Sequence, residues 1–457
     1  MKSAIILAAG KGTRMNSNLP KTMHKVCDKP MVEHIVDNLK SIDVEKIVTV
    51  VGYKHEVLRD YLKDKTEYAL QEEQLGSGHA VMQVQQLKDC DGITLVANGD
   101  CPLITKETYQ ALYDTLQGNS MVVLTALLDD AKSYGRIITD SDEFIQRIVE
   151  HKDASAEERL VKEINVGIYA FDNKVLYENL NKLDSNNSQN EYYITDLVEI
   201  LNKQGLKVKA LRIADPMEAS GINDRIELTE ASMWLQNKIN TKHQQQGVTL
   251  IDPSQTHIGV DVEIGLDTII YPNTFLRGKT KIGENCTITS SIIDNSSVKN
   301  NTSIVYSQIV NSEIGSNVTV GPYAHIRERS IIGNNARVGN FIEIKKSTIG
   351  NDTKAAHLSY IGDSEVGQNV NFGCGIVTVN YDGANKFKTI IGDNAFIGSN
   401  VNLIAPIKVG SNAVVAAGST ITDDVEDGDL VIARSIPVVK KDKGMKYVSK
   451  KKSKEKV

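Results

Sequence analysis

The chain has 457 residues, enough for roughly two to four domains with full cores. A net charge of -6 and a pI near 5.9 argue against a nucleic-acid binder. Five cysteines with no C-x-x-C pair exclude a disulfide framework or a zinc site and read as reduced thiols of a cytosolic protein.

The opening apolar run, Met1 to Gly10, leads into Lys11 and Arg14 and is too short for a signal peptide or a membrane span. Residues 1–229 alternate strand-like and helix-like stretches. Ser3 to Ala8, Ile47 to Val51, Ile93 to Ala97 and Met121 to Ala126 read as strands. Met31 to Leu39, His79 to Leu87 and Lys106 to Leu116 read as helices. This rhythm predicts an α/β domain with a mostly parallel, Rossmann-like sheet and helices on its faces. Such sheets bind ligands beyond the carboxyl ends of their strands.

The first strand ends in Leu7-Ala8-Ala9-Gly10-Lys11-Gly12-Thr13-Arg14, with Pro20-Lys21 soon after. A Gly-rich turn lets backbone N–H groups approach phosphate oxygens, and Arg14 and Lys21 add positive charge. Met15 stands where the dinucleotide fingerprint has its third glycine, and the G-x-x-x-x-G-K-[ST] loop is absent. Spacing alone leaves a phosphate-binding loop and a tight structural turn both open. Asn98-Gly99-Asp100 follows the third strand, so Asp100 lies at a carboxyl end, as a ligand or as a turn residue before Cys101-Pro102.

From Asp224 to Gln246 the pattern turns helical, with Leu228, Ala231, Leu235 and Ile239 on one stripe. Residues 230–250 are expected to be a helical linker, followed by a second domain over 251–457. From Val248 to Ile436 the chain keeps a six-residue beat, seen at Ile258, Ile264, Ile270, Leu276, Ile282 and Ile288 and again from Ile391 to Ile421. An aliphatic-Gly-x-Asn phrase recurs around it, as in Ile314-Gly315-Ser316-Asn317 and Ile332-Gly333-Asn334-Asn335. A period of six is one side of a triangular β-solenoid, with one aliphatic side chain pointing inward per side. The Gly and the Asn are both expected at left-handed corners. The period gives a coil but not its hand.

The beat breaks between Val366 and Ile391, where the polar loop Val379 to Lys386 intervenes. Repeat proteins carry insertions on a functional face. Just upstream lies His357, of the residue type that titrates in the range an amine-acylating base needs, although a lone histidine also serves as a structural group. The Lys-rich stretch 440–457 reads as a solvated, disordered tail.

The motif L-x-x-G-x-G-T-R followed by P-K resembles the signature of sugar-nucleotide pyrophosphorylases. With the hexapeptide domain behind it, nearly the whole chain resembles the bacterial family of bifunctional N-acetylglucosamine-1-phosphate uridylyltransferase/glucosamine-1-phosphate N-acetyltransferases. The resemblance implies a left-handed β-helix, a homotrimer with acetyl sites between neighbours, and a cytoplasmic enzyme that feeds bacterial wall polymers. It implies synthesis of UDP-N-acetylglucosamine from glucosamine-1-phosphate, acetyl-CoA and UTP with Mg²⁺. By the same resemblance Leu7, Ala8, Ala9, Gly10, Arg14 and Lys21 meet the nucleotide, with Asn98 and Gly99. Asp100 and Asn223 hold Mg²⁺. Gln71, Gly76 and Ser77 read uracil, the family more often having Thr where Ser77 stands. Gly135, Glu150 and Asn165 bind the sugar. In the second domain His357 is the implied general base, while Arg327, Lys345, Tyr360 and Asn371 hold the sugar phosphate. Cys374, Asn380, Tyr381, Ser399, Ala417 and Arg434 meet acetyl-CoA, Cys374 replacing a common alanine. A nucleotidyltransferase whose solenoid serves only assembly or regulation is the alternative that sequence leaves.

Overall fold

The computed structural model describes residues 1–140 and 144–452, with side chains described to residue 448. It divides into two compact units, Met1–Ile239 and Asn240–Val457. Among the described residues no helix is long and apolar enough to cross a membrane.

The first unit is built on a sheet whose strands lie in the order Val208–Arg212, Met121–Leu127, Glu163–Asp172, Ile93–Asn98, Lys2–Ala8, Lys46–Val51, Glu67–Leu70. Alternation along Lys2–Ala8 sends Ala4, Ile6 and Ala8 into one core and Ile5 into the other. The helices Met31–Lys40 and Lys106–Thr115 cover the first face with Ile35, Leu39, Tyr109 and Leu112. Ser77–Met82, Asn173–Asn179 and Leu197–Lys203 cover the second with Val81, Leu176, Leu197 and Leu201.

The sheet is mostly parallel, as the sequence reading expected, with one antiparallel course, while one helix differs from that reading. Glu163–Asp172 runs antiparallel to both of its central neighbours, so the sheet is mixed. Its register slips between Asn165 and Tyr169, at a bulge where Gly167 has φ +80° and a methyl would stand 2.1 Å from the Asn98 amide. The helix expected over His79 to Leu87 is only Ser77–Met82. Val84 and Leu87 are fully buried, but turns carry them there rather than a helix, so burial supplied the helical spacing.

Strand Lys2–Ala8 pairs in parallel with Lys46–Val51 on one side and Ile93–Asn98 on the other. The chain therefore winds outward from the first strand in one direction and returns in the other. The crevice beyond this reversal is where open α/β sheets bind ligands.

Helix Arg225–Gln245 follows, and the second unit's first strand is Thr249–Leu250. From there short parallel strands stack coil on coil. Ile258 pairs with Leu276 and Ile391 with Val409, both at 18 residues. The beat is lost after Ile288 because the next coils have 16 residues, Ile288 pairing with Ile304 and Ile304 with Val320. Tight corners at Ser290, Asn295, Tyr306 and Asn311, all with positive φ, accommodate the shorter sides.

The recurring Gly and Asn have different jobs, which corrects the sequence reading. The Asn residues turn the corners, Asn285, Asn317, Asn335, Asn369, Asn394 and Asn412 lying between φ +52° and +59°. The glycines of the phrase have no positive φ. They are small because the next coil is close: a methyl on Gly333 would stand 2.7 Å from the Asn351 backbone nitrogen. Within the segment expected to be a disordered tail, Met445–Lys452 is helical with Met445 and Tyr447 exposed, while 453–457 lie outside the described residues.

Candidate functional sites

The first site forms where strands Lys2–Ala8 and Ile93–Asn98 end. Leu7 accepts the Gly99 backbone N–H at 2.9 Å, which locks the two strand ends together. A methyl at Gly99 would stand 2.8 Å from that Leu7 oxygen, so the approach requires glycine. Beyond Ala8, Ala9 and Gly10, Gly12 turns the loop at φ +63° against the stem of Lys21. Lys21 pairs with Asp100 and donates at 2.8 Å to Asn223 Oδ1. Arg14 donates to the same Asn223 oxygen at 2.8 Å. Four residues expected at one centre, drawn from three separate segments, thus meet there.

Asn223 is held from several sides. Ile222 N–H donates to the Asp100 carbonyl at 3.0 Å, and Asn223 N–H donates to Glu227 Oε2 at 2.6 Å. Gly221 N–H donates to the Tyr134 hydroxyl at 3.1 Å, and burial pushes the Tyr134 phenol up to about 12. Behind Asp100 the buried Cys101 thiol donates to Oδ1 at 3.6 Å, and burial raises its pKa well above the usual thiol range. Tyr134 and Glu227 escaped the sequence reading. Tyr134 is the neighbour of Gly135, and Glu227 lies one helical turn past Asn223, but neither spacing is a motif.

Gly135, Glu150 and Asn165 also converge. Asn165 N–H donates to the Gly135 carbonyl at 2.9 Å, and a methyl on Gly135 would stand 3.5 Å from the Glu150 carboxylate. Burial raises the Glu150 carboxyl, helped by Asp196 and Asp153. Gln71 is buried, with Nε2 3.2 Å from the Gly76 carbonyl, and Ser77 Oγ accepts the Ile194 N–H at 3.1 Å.

The second site lies along one edge of the coil. Strand Arg337–Lys345 aligns Asn340 with His357. Extending the registers Ala355 to Phe372, Phe372 to Ile397 and Ile397 to Val415 by two residues places Cys374, Ser399 and Ala417 in the same column. Cys374 N–H donates to Ser399 Oγ at 3.2 Å, and Arg434 donates to the Ala417 carbonyl at 2.6 Å. His357 and Cys374 are exposed.

A second column holds the cations. Arg327 aligns with Lys345, and Lys345 with Gly362. The Tyr360 hydroxyl occupies the space over Gly362, 2.4 Å from where a methyl would be. The Asn380 amide stands 3.4 Å from that hydroxyl and donates to Asp363. Arg327 is held by Glu343 at 2.6 Å and Glu328 at 2.8 Å, and the hydrogen bond it donates to Glu343 raises the guanidinium pKa. Tyr381 lies in the inserted loop, its hydroxyl donating to the Gly383 carbonyl. Asn371 is aligned with Lys354 and Phe396.

Comparison with known proteins matches residues 3–215 to the nucleotidyl transferase family model. Residues 311–344 match the bacterial transferase hexapeptide model, and 388–423 the hexapeptide repeat of succinyl-transferase. A relative from Geobacillus sp. (strain WCH70), named bifunctional protein GlmU, is 53% identical over 96% of this chain and 96% of its own. Relatives of the same name from Clostridium beijerinckii and Listeria monocytogenes serotype 4a are each 49% identical, over 95% and 94% of this chain and 96% and 95% of theirs.

Proposed function

The chain belongs to the family of bifunctional GlmU proteins, and from that premise we propose roles for the two sites. It is a bifunctional transferase that makes UDP-N-acetylglucosamine, with a nucleotidyltransferase unit followed by a left-handed hexapeptide β-helix that carries acetyl transfer. The observation that carries the residue roles is the meeting of Lys21, Arg14, Asp100 and Asn223 at the reversal point of the sheet.

In the acetyl site the glucosamine nitrogen attacks the thioester carbonyl, the C–S bond breaks, and coenzyme A leaves as the thiol. His357 takes the proton that the amine sheds and passes it to the departing sulfur. Arg327 and Lys345 anchor the sugar phosphate, with Tyr360 and Asn371 orienting the sugar. Cys374, Asn380, Tyr381, Ser399, Ala417 and Arg434 meet acetyl-CoA, the column from His357 to Ala417 giving it a continuous edge to lie along.

In the nucleotidyl site a phosphate oxygen of N-acetylglucosamine-1-phosphate forms the new bond to the α-phosphorus of UTP. The bond to the β-phosphate breaks and pyrophosphate leaves. Leu7 to Gly10 and Gly99 present backbone to the nucleotide, and Gln71, Gly76 and Ser77 meet its base. Asn98, Gly135, Glu150 and Asn165 meet the sugar nucleotide, and Arg14 and Lys21 neutralise the phosphates. Asp100 and Asn223 suit Mg²⁺, because their two oxygens already converge on one cation, the Lys21 ammonium, and a two-donor set leaves room for water and phosphate. Bound there, Mg²⁺ would supply charge stabilisation to the phosphates.

A homotrimer is the proposed assembly. Tyr306, Tyr323, Phe341 and Leu358 form an exposed apolar ladder one residue along from His357, with Tyr323 and Phe341 stacked at 5.5 Å. Patches of this kind mark protein contacts. Five free cysteines suit a cytoplasmic location.

The test separates the halves. Asp100→Ala should abolish pyrophosphate release while thiol release from acetyl-CoA continues, and His357→Ala should do the reverse. Uridylyl transfer surviving Asp100→Ala would remove Asp100 from the metal site, and acetyl transfer surviving His357→Ala would remove the base.

A further inference from the structure

His79 lies in helix Ser77–Met82, and no role above uses it. Its half-buried ring packs near Tyr192, centroids 6.3 Å apart, and faces two glutamine amides. Gln71 Nε2 stands 3.1 Å from His79 Nδ1 and 3.2 Å from the Gly76 carbonyl. Gln83 Nε2 stands 3.2 Å from His79 Nε2 and 3.0 Å from the His79 carbonyl. Each amide is thus turned nitrogen-first by a backbone oxygen. A neutral imidazole accepts at one nitrogen and donates at the other, so it cannot accept from both amides.

Burial decides between them. Gln71 is only 3% exposed, and if its amide turned, its oxygen would face the Gly76 carbonyl with no water to relieve the repulsion. Gln83 is more open and can turn its oxygen toward Nε2–H while solvent takes up the freed groups. Nδ1 is therefore the acceptor, and both Gln71 amide protons are used, one on Gly76 and one on His79. Only Gln71 Oε1 remains for a ligand, and it can only accept.

We propose that His79 is a positioning residue that fixes the Gln71 amide with its oxygen outward, so that the site reads a hydrogen-bond donor on the pyrimidine. Uracil presents N3–H, whereas cytosine presents a bare N3 lone pair. The selection of uridine over cytidine nucleotides then depends on His79 as well as on Gln71. This inference rests on the reading above that Gln71 meets the base.

The test is the ratio of kcat/KM for UTP over CTP in the full-length enzyme, measured as pyrophosphate release with N-acetylglucosamine-1-phosphate. The ratio is internal to each preparation, so a loss of folded protein does not move it. His79→Leu removes one of the two bonds holding the amide and should lower the ratio about tenfold, through better use of CTP. His79→Asn places a side-chain oxygen near the Nδ1 position and should restore most of the parent ratio. Gln71→Leu should lower the ratio at least as far as His79→Leu. If Gln71→Leu lowers it while His79→Leu leaves it at the parent value, the role of His79 is wrong and the base-reading role of Gln71 stands. A ratio in His79→Asn as low as in His79→Leu likewise overturns the acceptor role. A ratio unmoved by Gln71→Leu removes the underlying reading itself.

Discussion

Replacing Gly12 by alanine should disable uridylyl transfer through one methyl group. At φ +63°, ψ +54°, Gly12 is in the left-handed region, which costs a residue with a Cβ about 1–2 kcal/mol. The methyl would also stand 2.5 Å from Lys21 Cβ and 3.0 Å from Cγ and Cδ. Carbon atoms prefer about 3.5–4.0 Å, so the stem of Lys21 must retreat by about 1 Å. Lys21 is the residue that bridges Asp100 and Asn223, and a shift of ~1 Å in a positioning group costs ~100-fold in rate. The assay is pyrophosphate release from UTP and N-acetylglucosamine-1-phosphate, with thiol release from acetyl-CoA as the control in the same preparation. The expected result is a loss of ~100-fold in the first with the second unchanged. A Gly12→Ala enzyme that keeps its melting profile and releases pyrophosphate at the parent rate would refute the close contact and the role of Lys21 together.

Gly333→Ala should destabilise the second unit by about 1–3 kcal/mol in urea, because its methyl meets the next coil's backbone; an unchanged midpoint would mean the coils can spread. Cys374 is exposed beside His357 on the coil edge, so acetyl-CoA should slow its alkylation, and equal labelling with and without the ligand counts against that placement. Burial, then Asp184, Glu199 and Asp153, raises Asp196 from 3.8 to about 6. A carboxyl raised on folding stabilises the fold below its unfolded value and loses that contribution as pH climbs through the folded value. Asp196→Asn should therefore be more stable than the parent at pH 7.5, by about 1–2 kcal/mol after allowing for solvent screening, with the difference shrinking toward pH 4. A difference that grows as pH falls contradicts the sign.

The solenoid was legible because each side repeats a single inward aliphatic residue, and Ile258, Ile270, Leu276 and Ile288 do point into the core. The 16-residue coils after Ile288 were not legible, since shortening a side leaves no residue type behind to mark it. In the first unit the four parallel-sheet strands sit where alternation and apolar runs put them. The antiparallel course of Glu163–Asp172 is set by pairing partners distant in sequence, which local pattern does not encode. The place of the first candidate site was readable through the Gly-rich loop and Asp100, each tied to a strand end. Tyr134, Glu227 and His79 were invisible because their roles are defined by what they touch, and each touches a residue that is itself the recognisable one.

Both chemistries on this single polypeptide can be timed against each other. With glucosamine-1-phosphate, acetyl-CoA, UTP and Mg²⁺ supplied together, coenzyme A thiol should appear first and pyrophosphate only afterwards, and leaving out acetyl-CoA should suppress both. Pyrophosphate formed at full rate without acetyl-CoA, or thiol that never leads to pyrophosphate, would contradict a chain that hands the product of its coil to its sheet.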